Sequence, residues 1–264
     1  MDPAAAAEAA ALIWGHRRAG TKLDSLPPRL RPATRAEGYA VQAGLEAMSG
    51  RPLWGWKIAA TSTAGQRHIN VDGPLGGRIL AEMVVPEGAP VPLAGNAMLV
   101  AEPEFVFRLG ADLPPRAADY AQAEVMAAVA ALHLGIEVPD SRFADFTAAG
   151  GPQLIADNAC AHLFVLGAEA PPAAWRGLDL ARHPVRCDVA GRYARDGIGA
   201  NVLGDPRIAL TWLANELSRH GTGLRAGQYV TTGTCAVPLE ILPAGDRVEA
   251  DYGPLGRIAV TFVA

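Results

Sequence analysis

The chain has 264 residues, half of them hydrophobic, with 23 Lys and Arg against 27 Asp and Glu and a net charge of -4. That length can bury a substantial core in one large domain or in a domain with a smaller appendage. Mild acidity without basic clusters argues against a nucleic-acid or membrane partner and leaves a small molecule as the expected substrate.

The N-terminal segment, MDPAAAAEAAALIWGHRRAG, opens with an acid, carries Glu8 and places its arginines after the apolar run, the reverse of a signal peptide. It reads as a helix from Ala4, followed by a Pro-rich break at Leu26 to Thr34 and a second helix reaching about Gly50. Thr34 and Glu37 have capping-box spacing at its start. Leu53 to Ala59 alternates like a strand, and Ser62 to Asn70 reads as a short helix. Pro and Gly cluster from Gly73 to Pro92 and mark a boundary near residue 80. A strand is then predicted at Ala97 to Leu109, an Ala-rich helix at Tyr120 to Leu134, and a strand at Gly135 to Val138. Further strands fall at Ala161 to Leu166, Val185 to Val189, Gln228 to Thr232, Arg247 to Tyr252 and Arg257 to Val263, with one helix at Asp205 to His220. The order is too irregular for repeated βαβ units, so a compact mixed β structure with peripheral helices is expected. No apolar run is long enough for a membrane span. Cys160, Cys187 and Cys235, odd in number and without CxxC spacing, fit neither a disulfide framework nor a zinc cluster and point to the cytoplasm.

Glu102 and Glu104 are the first candidates for chemistry. Two apart on a strand, they share one face with Val100 and Val106. Such a pair is more often a solvated face than a ligand set, but Pro103 between them lacks a backbone donor and suggests a sheet edge or bulge. A third carboxylate, Glu137 in GIEVPDSR, favours relief of the repulsion by a hard divalent cation over a raised pKa alone. Lys57 is the second candidate. The chain has 21 Arg and only two Lys, Lys22 and Lys57, so an ammonium kept beside Trp54, Trp56 and Ile58 suggests a role that a guanidinium cannot fill. The alternative is a surface lysine whose stem packs on the tryptophans. Gly197, Gly199 and Gly204 lack nucleotide-loop spacing and read as an ordinary loop. The six histidines have no zinc spacing, and Ser62, Ser141 and Ser218 lack a nucleophile elbow.

Six blocks carry a resemblance: GWKIAATS (Gly55 to Ser62), AEPEFVF (Ala101 to Phe107), IEVPDSRFADF (Ile136 to Phe146), ADNAC (Ala156 to Cys160), LGDPRIALTWLANEL (Leu203 to Leu217) and AGQYVTTGT (Ala226 to Thr234). Together, in this order, they resemble the 2-keto-4-pentenoate hydratase and 4-oxalocrotonate decarboxylase family, within the fumarylacetoacetate hydrolase superfamily. The resemblance implies an α+β fold, a mixed β-sandwich roll over residues 81–264 behind an N-terminal helical lobe, residues 1–80, that carries Lys57. It implies Mg2+ or Mn2+ on Glu102, Glu104 and Glu137, Lys57 as the active-site lysine, and Leu75, Asn158, Cys160 and Thr234 against a 2-keto acid substrate, in a homo-oligomer.

Two positions depart from the hydratase pattern. Pro74-Leu75-Gly76-Gly77 stands where hydratases of the family read P-D-F-G, and leucine transfers no proton; the decarboxylase branch is similar in being apolar there. Cys160 stands where the usual segment ends in Ser. Hydration of a 2-hydroxy-2,4-dienoate is the first expectation, decarboxylation of a 2-oxo-dioate the second, and a catalytically idle keto-acid binder the third.

Overall fold

A computed structural model of the chain describes residues 1–243 and 245–264. Helices α1 (Pro3–Ala19) and α2 (Arg35–Ser49) come first and end on Gly20 and Gly50, each at φ 64. A glycine adopts that left-handed turn without steric cost. The capping box at α2 is present: the Thr34 hydroxyl accepts the Glu37 N–H at 3.2 Å while the Glu37 carboxylate accepts the Thr34 N–H at 3.3 Å. Among the described residues no helix is long and apolar enough to cross a membrane.

The chain continues through β1 (Gly55–Ala59), α3 (Thr63–His68), β2 (Leu75–Ile79), β3 (Val84–Val85), β4 (Val91–Pro92), β5 (Val100–Leu109), α4 (Gln122–Ala127) and β6 (Val129–Val138). It goes on through α5 (Gly151–Ala156), β7 (Leu163–Glu169), α6 (Pro172–Trp175), β8 (Pro184–Val189) and β9 (Tyr193–Ile198). The last elements are α7 (Pro206–Arg219), β10 (Tyr229–Thr234), β11 (Leu239–Glu240), β12 (Arg247–Asp251) and β13 (Arg257–Val263). Two mixed sheets result. One has eight strands in the order β2-β1-β10-β5-β6-β7-β3, with β11 also paired to β5; the other has five, β4-β13-β12-β8-β9.

The two faces of β5 have different duties because successive side chains alternate. Phe105 packs edge-on against Tyr252, with ring centroids 5.2 Å apart, and against His183 at 6.2 Å, joining the two sheets through a dry core. The opposite face carries Glu102, Glu104 and Val106.

Several sequence expectations are corrected. The Ala-rich helix at Tyr120 to Leu134 is the single turn-and-a-half of α4 followed directly by β6, which starts at Val129 and runs ten residues. Helix propensity of the alanines yields to a central strand position, buried on both faces and paired on both edges. The strand carrying Lys57 is not part of a separate lobe. β1 pairs in parallel with β10 and antiparallel with β2, so the break near residue 80 falls inside the large sheet and the helical lobe ends near residue 50. Pro103 is at no edge: β5 is central. The bulge half of that expectation holds, since the register of β10 against β5 shifts between Thr231 and Thr234. The Pro103 carbonyl accepts the Cys235 N–H at 2.9 Å on that side, so its missing donor faces the interruption.

Of the three glycines read as a loop, Gly197 lies in β9, an edge strand whose residues show no apolar alternation, while Gly199 and Gly204 fall in the turns that follow it. Gly199 has a packing reason, because a Cβ there would overlap the Leu180 carbonyl. Gly199→Ala should therefore destabilise the protein by about 2 kcal/mol or more in urea unfolding; a change below about 0.5 kcal/mol would contradict this contact.

Candidate active site

Antiparallel pairing of β5 with β6 sets Glu102 directly opposite Glu137, and Glu104 opposite Gly135. One carboxylate oxygen from each glutamate lies within 4.8 Å of the others. Glu104 is fully buried, Glu137 is 2% exposed and Glu102 half-buried. Gly135 makes this density possible: a Cβ there would meet the Phe164 ring at 2.6 Å and Val106 at 2.7 Å. Like charges facing each other across a ladder repel. Burial, reinforced by the Glu137 charge, pushes the Glu102 carboxyl up to about 7, against the pull of Lys57. Burial and the other two carboxylates hold Glu104 well above the usual carboxylate range, and burial raises Glu137 despite Lys57.

The carboxylates are aimed by specific partners. Glu104 Oε2 accepts the Thr231 hydroxyl and, at 2.6 Å, the Gly233 N–H, both from the bulged end of β10. Glu137 Oε1 receives Lys57 Nζ at 3.0 Å. Glu104 Oε1 and Glu137 Oε2 are buried without a hydrogen-bond partner. Unpaired buried carboxylate oxygens are costly, and in a cluster of three acids they fit a hard divalent cation, which takes oxygen ligands.

Lys57, 2% exposed, also donates to the Ala159 carbonyl at 2.9 Å. Burial alone would pull its pKa down, but Glu137, Glu102 and Glu104 outweigh it and keep the ammonium charged. The Ala159 carbonyl belongs to a turn in which Asn158, Ala159 and Cys160 all have left-handed backbones, at φ 60, 51 and 62. The remaining sequence candidates sit around this centre in different ways. Asn158 directs its amide to the Arg78 backbone. The Cys160 thiol is buried and pushed up to about 12, by burial first and then by Asp157, so it stays protonated. Thr234 lies opposite Glu104 in the register, with its hydroxyl donated to the Ala236 carbonyl at 2.8 Å. Leu75 pairs with Ala59, two residues along β1 from Lys57 and so on the same sheet face, and is fully buried in the main core.

The fumarylacetoacetate hydrolase C-terminal family matches residues 71–263, and curated relatives agree. A 2-keto-4-pentenoate hydratase of Burkholderia vietnamiensis is 35% identical over 227 residues, 85% of this chain and 84% of that protein. The chain belongs to the fumarylacetoacetate hydrolase superfamily, in its 2-keto-4-pentenoate hydratase and 4-oxalocrotonate decarboxylase branch. A 2-hydroxyhexa-2,4-dienoate hydratase of Comamonas testosteroni is 33% identical over 220 residues, 83% of this chain and 81% of its own. Among solved structures, the 4-oxalocrotonate decarboxylase of Pseudomonas putida G7, complexed with magnesium and adipate, superposes with a TM-score of 0.88 at 25% identity. That match covers 100% of this chain and 99% of the other. The same decarboxylase is also known with calcium and acetate.

Within this branch of the superfamily, sequence reasoning selected the charged centre and missed what holds it. Thr231 and Gly233 orient Glu104, and the signal was available: TTGT places hydroxyls on a strand within a quoted block. The Ala159 carbonyl had no signal, because a main-chain group presented by a strained turn has no side-chain signature.

The three raised carboxyls fix the pH behaviour of the metal-stripped protein. Between the ordinary value of 4.5 and about 7 the folded protein holds protons that the unfolded chain has released, so stability falls as pH rises through that window. A divalent cation competes with those protons. Added Mg2+ should therefore raise the melting temperature more at about pH 8 than at about pH 5.5. Equal shifts at the two pH values would contradict a carboxylate-held ion.

Proposed function

We propose that the protein is a divalent-metal-dependent lyase that hydrates a 2-hydroxy-2,4-dienoate to a 4-hydroxy-2-oxo acid. The observation that carries this reading is the meeting of three carboxylates, two buried and one half-buried with ligand atoms within 4.8 Å, and one buried ammonium 3.0 Å from Glu137. Glu102, Glu104 and Glu137 would hold Mg2+ or Mn2+, which supplies Lewis-acid stabilisation for negative charge developing on the 2-oxygen of a keto acid.

The protein's own groups do the rest. In hydration, ketonisation moves the 2-hydroxyl proton to C5, and water then adds across C3 and C4, hydroxyl to C4 and proton to C3. Lys57 Nζ, held charged and nearly dry, can donate to the developing oxyanion or carry one of these protons. Thr231 and Gly233 keep Glu104 aimed, and Leu75, fully buried two residues along the same sheet face from Lys57, offers no proton of its own.

Decarboxylation of a 2-oxo-dioate is the second reading, supported by the apolar Leu75 and by the fold likeness to a 4-oxalocrotonate decarboxylase. Loss of CO2 from the distal end sends its electron pair to the same 2-oxygen, so one centre serves either reaction. Three free, buried cysteines support a cytoplasmic enzyme, and exposed Val237 and Leu242 support assembly into a homo-oligomer.

Ultraviolet assays on 2-hydroxypenta-2,4-dienoate and on 2-oxohex-3-enedioate with Mg2+, with product masses, separate the two readings. In whichever assay is productive, Lys57→Arg should lose about 100-fold or more in turnover while Mg2+ still raises its melting temperature. Near-normal turnover would reduce Lys57 to a structural residue.

A further inference from the structure

We infer that Asn158 is a positioning residue, whose amide clamps the left-handed turn Asn158–Cys160 to β2 so that the Ala159 carbonyl fixes the Lys57 ammonium where it acts. The inference rests on the role proposed for Lys57. It also reassigns Asn158, which the family resemblance puts against the substrate.

Three successive non-glycine residues with left-handed backbones are strained, and only Asn among them tolerates that region with any ease. Such a segment persists when its surroundings over-determine it. Here they do. β2 is the edge strand of the large sheet, and the Ile79 carbonyl accepts from Trp54 on the β1 side, so the Arg78 N–H and C=O point outward with no strand to pair them. The Asn158 side chain supplies both partners: Oδ1 accepts the Arg78 N–H and Nδ2 donates to the Arg78 carbonyl, each at 2.6 Å. Both ends of that amide are committed, and Asn158 is 3% exposed.

The rest of the turn is tied as firmly. The Ala161 N–H donates to the Asn158 carbonyl at 3.0 Å, and the Asp140 N–H donates to the Cys160 carbonyl at 2.9 Å. Gly77 leaves room for the Asn158 carbonyl, which a Cβ would overlap, and that same Cβ would press on Lys57 Cδ at 3.0 Å. The turn therefore closes over the lysine and presents a single carbonyl to it, at 2.9 Å. A four-carbon stem leaves an ammonium mobile, and a carbonyl opposite Glu137 restricts it to one place. Misplacing a reacting group by about 1 Å costs on the order of 100-fold in rate.

The test is steady-state kinetics of wild type, Asn158→Ala and Lys57→Ala with Mg2+, per folded, Mg2+-binding site, on 2-hydroxypenta-2,4-dienoate or 2-oxohex-3-enedioate, whichever the wild type turns over. Asn158→Ala should lower kcat about 10- to 100-fold while KM stays within about threefold and the Mg2+-induced rise in melting temperature persists. A raised KM with unchanged kcat would make Asn158 a substrate ligand and overturn the proposal. So would unchanged kinetics, or a kcat loss accounted for by the unfolded fraction. If Asn158→Ala does not fold, Asn158→Gly takes the left-handed backbone without strain and removes only the side-chain clamp, and the same criteria apply to it. A wild-type kcat in Lys57→Ala would instead refute the role of the lysine, an outcome distinct from failure of the clamp.

Discussion

Three carboxylates on one face of a sheet, balanced by a single ammonium, are the constraint around which this protein is arranged. Charges this close and this dry are not stable by themselves. Burial raises the Glu102, Glu104 and Glu137 carboxyls, with neighbouring carboxylates adding to it at Glu102 and Glu104, while the same acids outweigh burial at Lys57 and keep it charged. The architecture holds the groups together through paired strands, because the register of β5 with β6 sets Glu102 against Glu137 irrespective of their repulsion. The free energy for this comes from elsewhere: the opposite face of the same strand buries Phe105 and Phe107 completely in the core.

That division of labour explains the placement of small residues. Gly135 leaves space beside the triad for Phe164 and Val106, Gly77 leaves space for the turn over Lys57, and the Gly233 backbone reaches Glu104. Each sits where a main-chain or aromatic group must approach a charged one. Pro103, central in the sheet, is tolerated because the neighbouring strand is interrupted beside it, and the same interruption turns the Gly233 N–H toward Glu104.

The charged residues were legible in the sequence because their chemistry is rare: a Glu-x-Glu on an apolar strand, a third Glu before Pro and Asp, and one of two lysines among 21 arginines. Helix α2 was legible through its cap, Thr34 with Glu37, and α7 was legible as a helix over Asp205 to His220, one residue beyond its bounds at each end. Less was visible where tertiary pairing decides. Nothing local distinguishes Val129 to Leu134, with Ala130 and Ala131, from a continuation of α4 until β5 and β7 are paired on either side of β6. The polar edge strand β9 shows no apolar alternation, and β2, with two glycines in five residues, reads as a loop. The pairing of β1 with β10 joins residues far apart in the chain, so the unity of the sheet across residue 80 was hidden as well.

The central claim is that the three acids are kept for a cation at a cost to the metal-stripped protein. Glu104→Gln keeps the shape and removes one charge, so calorimetric titration with Mg2+ and thermal melting of the stripped variant test it together. The account predicts Mg2+ affinity weakened about tenfold or more and a stripped melting temperature equal to or above that of the wild type. Unchanged affinity, or a stripped variant that melts well below wild type, would contradict it.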